Sequence, residues 1–65
     1  MRNHPLTMSQ HHALFDEGWA RGQEDHAKGL GYKDCPYGDG TESARSRRAG
    51  WRSGWSSQQL VEKSR

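Results

Sequence analysis

Gly18-x-x-x-Gly22 and Gly50-x-x-x-Gly54 most narrow what this chain can fold into. Each pair falls inside a stretch with helical patterning, where glycine costs about 1 kcal/mol relative to alanine. Four such positions need a compensating reason. A glycine has no Cβ, so another backbone or a large ring can approach it closely. The pattern therefore predicts two helices packed across these glycines. Trp19 is expected over the second helix near Gly54, and Trp51 or Trp55 over Gly18 or Gly22.

The rest of the chain offers little else to pack. It has 65 residues, 29% of them apolar, so it forms one thin domain at most. Three tryptophans, two tyrosines and Phe15 carry most of the surface that can be buried. Such a chain is marginally stable alone or completed by a partner. A lone cysteine, Cys35, rules out an internal disulfide framework. No apolar run approaches the roughly 18 residues of a membrane span, and there is no signal-peptide core, so the expected location is cytoplasmic without membrane contact.

Thr7 with Gln10 fits a capping box that opens a first helix running to Lys28, with Gly29 as its left-handed stop. At 100° per residue, Leu14, Phe15, Gly18, Trp19 and Gly22 share one arc of about 140°. Glu17–Arg21 and Glu24–Lys28 are i,i+4 pairs in the favourable order. From Gly29 to Gly40 the glycines, Pro36 and two tyrosines read as a loop. Pro36 fixes a bend and forces Cys35 out of the helical region. Asp39 is expected to cap a second helix from about Thr41 to Gln58, with Glu42 three residues on. In that helix Ala44, Trp51 and Trp55 share a stripe beside Gly50, Gly54 and Val61, while Arg45, Arg48 and Arg52 form another at i, i+3 and i+7. There is no β pattern and no longer internal repeat.

The expected fold is all-α: two helices packed as a helical hairpin joined by a Cys-Pro-Tyr loop, with flexible termini. Residues 1–6 form a tail, 7–60 a single domain and 61–65 a frayed end. The expected core is Leu14, Phe15, Gly18, Trp19, Gly22, Cys35, Pro36, Trp51, Gly54 and Trp55.

Charge is unevenly distributed. Residues 1–40 hold four Lys/Arg against six acids, a balance of −2, and residues 41–65 hold six against two, a balance of +4. A basic C-terminal half points to phosphate or an acidic partner. Arg45, Arg47, Arg48 and Arg52, with Lys33 and Tyr37, are the candidate RNA-binding residues. An exposed Tyr32, Tyr37 or tryptophan would stack on an unpaired base. Cys35 reads as a small side chain ordering its turn. A nucleophile would need a base at fixed spacing, and His11, His12, His26 and Cys35 form no zinc pattern. For an enzyme using ATP and Mg²⁺, Gly29-Leu30-Gly31-Tyr32-Lys33-Asp34 is the one glycine-rich candidate, with Lys33, Asp34 and Cys35 as its catalytic residues. It lacks the strand–loop–helix context of a phosphate loop.

Together these motifs resemble the ribosome modulation factor family: Gly18-Trp19-Ala20-Arg21-Gly22, Gly29, Cys35-Pro36-Tyr37, then Arg47 or Arg48 before Trp51-Arg52-Ser53-Gly54-Trp55. The likeness spans about residues 14–58. Relative to the family pattern this chain is longer between Gly22 and Gly29 and between Tyr37 and Trp51, and Met1–Gln10 carries only Arg2 as a basic residue. The resemblance implies a non-enzymatic protein that binds small-subunit ribosomal RNA, needs no cofactor and modulates translation in a hibernation-like manner. A second branch with the same motifs, the ciprofloxacin resistance protein, implies ATP-dependent fluoroquinolone phosphorylation. A small protein-interaction module is the third expectation, and weak self-association is compatible with all three.

Overall fold

A computed structural model describes residues 7–64, so the tail expected at 1–6 and Arg65 lie outside the described residues. The fold is all-α, two packed helices and a connecting loop. Helix α1 spans Met8–Ala27, a short 3-10 turn spans Tyr32–Asp34, and helix α2 spans Glu42–Lys63. Neither helix is long and apolar enough to cross a membrane.

Local chemistry sets the helix ends. The Thr7 hydroxyl accepts from the Gln10 N–H at 3.1 Å and the Gln10 side chain accepts from the Thr7 N–H at 3.0 Å, the reciprocal capping box. At the other end Gly29 adopts φ 91°, a left-handed conformation that suits glycine. Its N–H donates to His26 O and that of Leu30 to Asp25 O, both at 3.0 Å, so two otherwise orphan carbonyls are satisfied in a Schellman motif. Helix α2 is capped by Thr41, whose hydroxyl accepts from the Ala44 N–H at 3.0 Å. Asp39, the expected cap, instead pairs with Arg48. Helix α2 also continues through Lys63, so residues 61–63, expected to fray, are helical.

The glycines fix how the helices meet. A Cβ built on Gly18 or Gly22 would strike the carbonyl of Arg47 or Trp51; one on Gly50 or Gly54 would strike the carbonyl of Phe15 or Trp19. Each glycine thus takes a partner carbonyl where a Cβ would stand, the arrangement of a weak Cα–H···O contact. The arrangement is reciprocal. Gly18-Trp19-x-x-Gly22 and Gly50-Trp51-x-x-Gly54 lie thirty-two positions apart, and exchanging the two segments maps these contacts onto one another. Sequence reading found the shared device but not this equivalence.

Partners advance together along both helices. His11 meets Ser46, Gly22 meets Trp51, and His26 meets Gln59. The two helices therefore run side by side in the same sense, and the segment 28–41 carries the chain back. That segment can stretch to about 46 Å, whereas α1 is about 30 Å long. It returns along α2: the Leu30 carbonyl accepts from Trp55 Nε1 at 2.8 Å, Tyr32 packs on Trp55, and Asp39 reaches Arg48 at 3.3 Å. Beyond Gln59 the last turn of α2 leaves Leu60 and Val61 exposed.

Backbone contact at the centre changes which side chains form the core. Among the described residues Trp51 is the one large apolar side chain that is fully buried, at 0% exposure. Trp19, expected in the core, is 37% exposed. Its carbonyl rather than its ring meets Gly54, because helices this close leave no room for an indole between them. Pro36 is exposed, and Leu14, Phe15, Cys35 and Trp55 are half-buried.

Replacing Gly22 or Gly50 with alanine is expected to lower stability by about 1–3 kcal/mol, although alanine favours the helix by about 1 kcal/mol. Gly38→Ala and Gly40→Ala, where an added Cβ meets nothing within 4 Å, should shift it by less than about 0.5 kcal/mol. Urea unfolding followed by circular dichroism measures the difference.

Candidate nucleic-acid interface

The two helices carry opposite charge. Helix α1 holds Asp16, Glu17, Glu24 and Asp25 against Arg21, and α2 holds Arg45, Arg47, Arg48, Arg52 and Lys63 against Glu42 and Glu62, giving −3 and +3. Part of this charge joins the helices: Arg47 Nε pairs with Glu17 at 3.0 Å. Glu17, expected to pair with Arg21 along its own helix, is used here. Arg21 turns instead to Asp25, donating from Nε to both carboxylate oxygens at 3.2 Å. That hydrogen bond, with the Asp25 charge, raises the Arg21 pKa above its ordinary value. Glu24–Lys28 forms as expected, at 2.9 Å.

Asp25 is the residue that sequence reading missed. It is 2% exposed and accepts from Trp51 Nε1 at 2.8 Å. A buried indole N–H needs an acceptor, and a buried carboxylate needs donors. The signal was present: Asp25 lies seven residues after Gly18 and three after Gly22, which puts it inside the apolar arc, between Leu14 and Gly18. Ser46, also buried, lies 2.7 Å from His11 Nδ1, another polar link across the interface.

The arginines divide into distinct settings. Arg47 is tied to α1. Arg48 reaches Asp39, whose side chain is 74% exposed, and such a surface pair contributes about 0–1 kcal/mol. The Arg52 guanidinium lies 5.3 Å from the centre of the Tyr32 ring, within cation–π range. Arg45 is exposed and forms no ion pair among the described residues. Tyr32 is 43% exposed, packed edge-on against Trp55 at 5.5 Å, and Lys33 beside it is exposed. Tyr37 is half-buried, its carbonyl accepting from Cys35 Sγ at 3.6 Å. Cys35 thus sits where a turn-ordering side chain would. The structure brings Arg48, Arg52 and the 3-10 turn carrying Lys33 along one side of α2, and it sets Arg47 apart.

The glycine-rich loop presents few free N–H groups. Those of Gly29 and Leu30 close the Schellman motif, and the Gly31 N–H donates to Asp34 Oδ2 at 2.8 Å. Asp34 caps its own turn. A hollow of about 470 Å³ lies on α1, lined by His11, His12, Phe15 and Asp16; none of Lys33, Asp34 and Cys35 borders it. Among the described residues no group of three or more His, Cys, Asp or Glu is placed to hold a metal ion. His26 stacks edge-on with Trp55 at 4.9 Å and lies 2.7 Å from the Gln59 side chain, a packed histidine.

Asp25→Leu should destabilise the protein by about 1–3 kcal/mol, because it strands the Trp51 N–H. Asp25→Asn, which keeps an acceptor, should cost less, and thermal unfolding monitored by tryptophan fluorescence ranks the two. No protein-family model matches this chain, nor does any curated protein or solved structure.

Proposed function

We propose that this protein is a non-enzymatic cytoplasmic module that binds ribosomal small-subunit RNA and modulates translation. One observation carries the reading. The basic charge is segregated onto α2, where Arg48 and Arg52 share one side, the 3-10 turn that carries Lys33 packs against Arg52 through Tyr32, and Arg45 near the helix start makes no ion pair among the described residues. The weak Arg48–Asp39 pair leaves Arg48 available to a phosphate, and each neutralised phosphate would release counterions. The motif resemblance to ribosome modulation factor supports the same reading and adds the ribosome as target.

The exposed Trp19 ring favours a second reading, a protein-interaction module using that ring as its anchor. Co-sedimentation with ribosomes, against capture of a partner that survives nuclease treatment, distinguishes the two.

Binding to a small-subunit RNA fragment, followed by fluorescence anisotropy over a salt series, should weaken steeply as salt rises. Arg45→Ala should flatten the log–log slope by about 0.7–0.9, the share of one phosphate, without loss of helix content. Absent or salt-insensitive binding overturns the proposal.

A further inference from the structure

We infer that Tyr32, braced by Trp55 and Arg52, is a stacking platform for one unpaired RNA base. This rests on the RNA-binding reading and assigns the reading's base contact to one ring. Single-strand binders combine cationic groups that follow the backbone with an aromatic face on which a base stacks. The remaining aromatic rings fit that role less well. Trp51 is fully buried and its N–H is bound by Asp25. Trp55 is half-buried, its N–H bound by the Leu30 carbonyl and its ring packed against His26 and Tyr32. Tyr37 is half-buried. Trp19 is exposed but belongs to the helix of charge −3, where phosphates are repelled.

Tyr32 alone joins exposure, cationic surroundings and a fixed position. It is 43% exposed and stands in a 3-10 turn closed by the Asp34 N–H on Gly31 O and by the Asp34 carboxylate on Gly31 N–H. The Trp55–Leu30 hydrogen bond anchors the chain two residues earlier, so little conformational entropy is left to lose on binding. Arg52 lies over the ring and makes no ion pair among the described residues, and Lys33 follows in sequence. A base on the exposed part of the ring would place its flanking phosphates among Arg52, Lys33 and Arg48.

The test uses the full chain and three probes: an unstructured mixed-sequence oligoribonucleotide, the same backbone made abasic, and a duplex RNA of equal length. Tyr32→Leu should weaken single-strand binding by about 5- to 100-fold, the range for one base–aromatic stack, with its salt slope unchanged. Tyr32→Phe should bind like the wild type, and the abasic backbone and the duplex should be insensitive to Tyr32→Leu. Circular dichroism confirms that the variants are folded. Photo-crosslinking of a 4-thiouridine oligonucleotide to the unaltered protein gives a readout independent of any variant, with the adduct expected on Tyr32. Unchanged single-strand affinity in folded Tyr32→Leu, or adducts confined to other residues, overturns the platform while salt-dependent binding leaves the phosphate reading standing. Failure of every probe to bind overturns both.

Discussion

Glycine against carbonyl is the contact on which this structure depends. Gly18, Gly22, Gly50 and Gly54 bring two backbones so close that no side chain separates them at these four points. A chain with this little apolar surface has few other ways to join two helices. The contact is worth only a fraction of a kcal/mol to 1 kcal/mol at each glycine, but it sets register and direction together. Every other interhelical bond then falls where that register puts it.

The polar links follow from this closeness. Rings that cannot enter the interface are displaced to its flanks, where Trp51 finds Asp25 and Trp55 finds the Leu30 carbonyl. Trp19, the equivalent of Trp51 thirty-two residues earlier, has no such acceptor among the described residues and stays partly exposed. Running the helices in the same sense makes the connection travel back along their length, and here it does so beside α2. That return brings Tyr32, Lys33 and Asp39 beside the arginines, so the candidate interface is a consequence of the packing direction.

Local chemistry was well legible in the sequence. The Thr7 capping box, the Gly29 stop, the glycine pairing and the Arg45–Arg48–Arg52 spacing could all be read from residue types at fixed offsets. Less legible was what depends on three-dimensional register. Asp39 and Thr41 are both good caps, and Arg48 draws Asp39 away. Glu17 stands four residues before Arg21, but Arg47 and Asp25 supply both with other partners. Trp19 and Trp51 occupy the same motif position, and only the surroundings decide which is buried. Helix direction is legible only through the long segment 28–41, since helices joined by two to five residues must run antiparallel.

Paramagnetic broadening tests the packing direction most directly. A nitroxide on Ser9→Cys, in a Cys35→Ser background, sits at the start of α1. If both helices run in the same sense, as the His11–Ser46 and His26–Gln59 bonds require, the amide signals of residues 42–46 broaden strongly and those of 60–63 remain sharp. Broadening at 60–63 with sharp signals at 42–46 would contradict the register and, with it, the placement of the basic side chains.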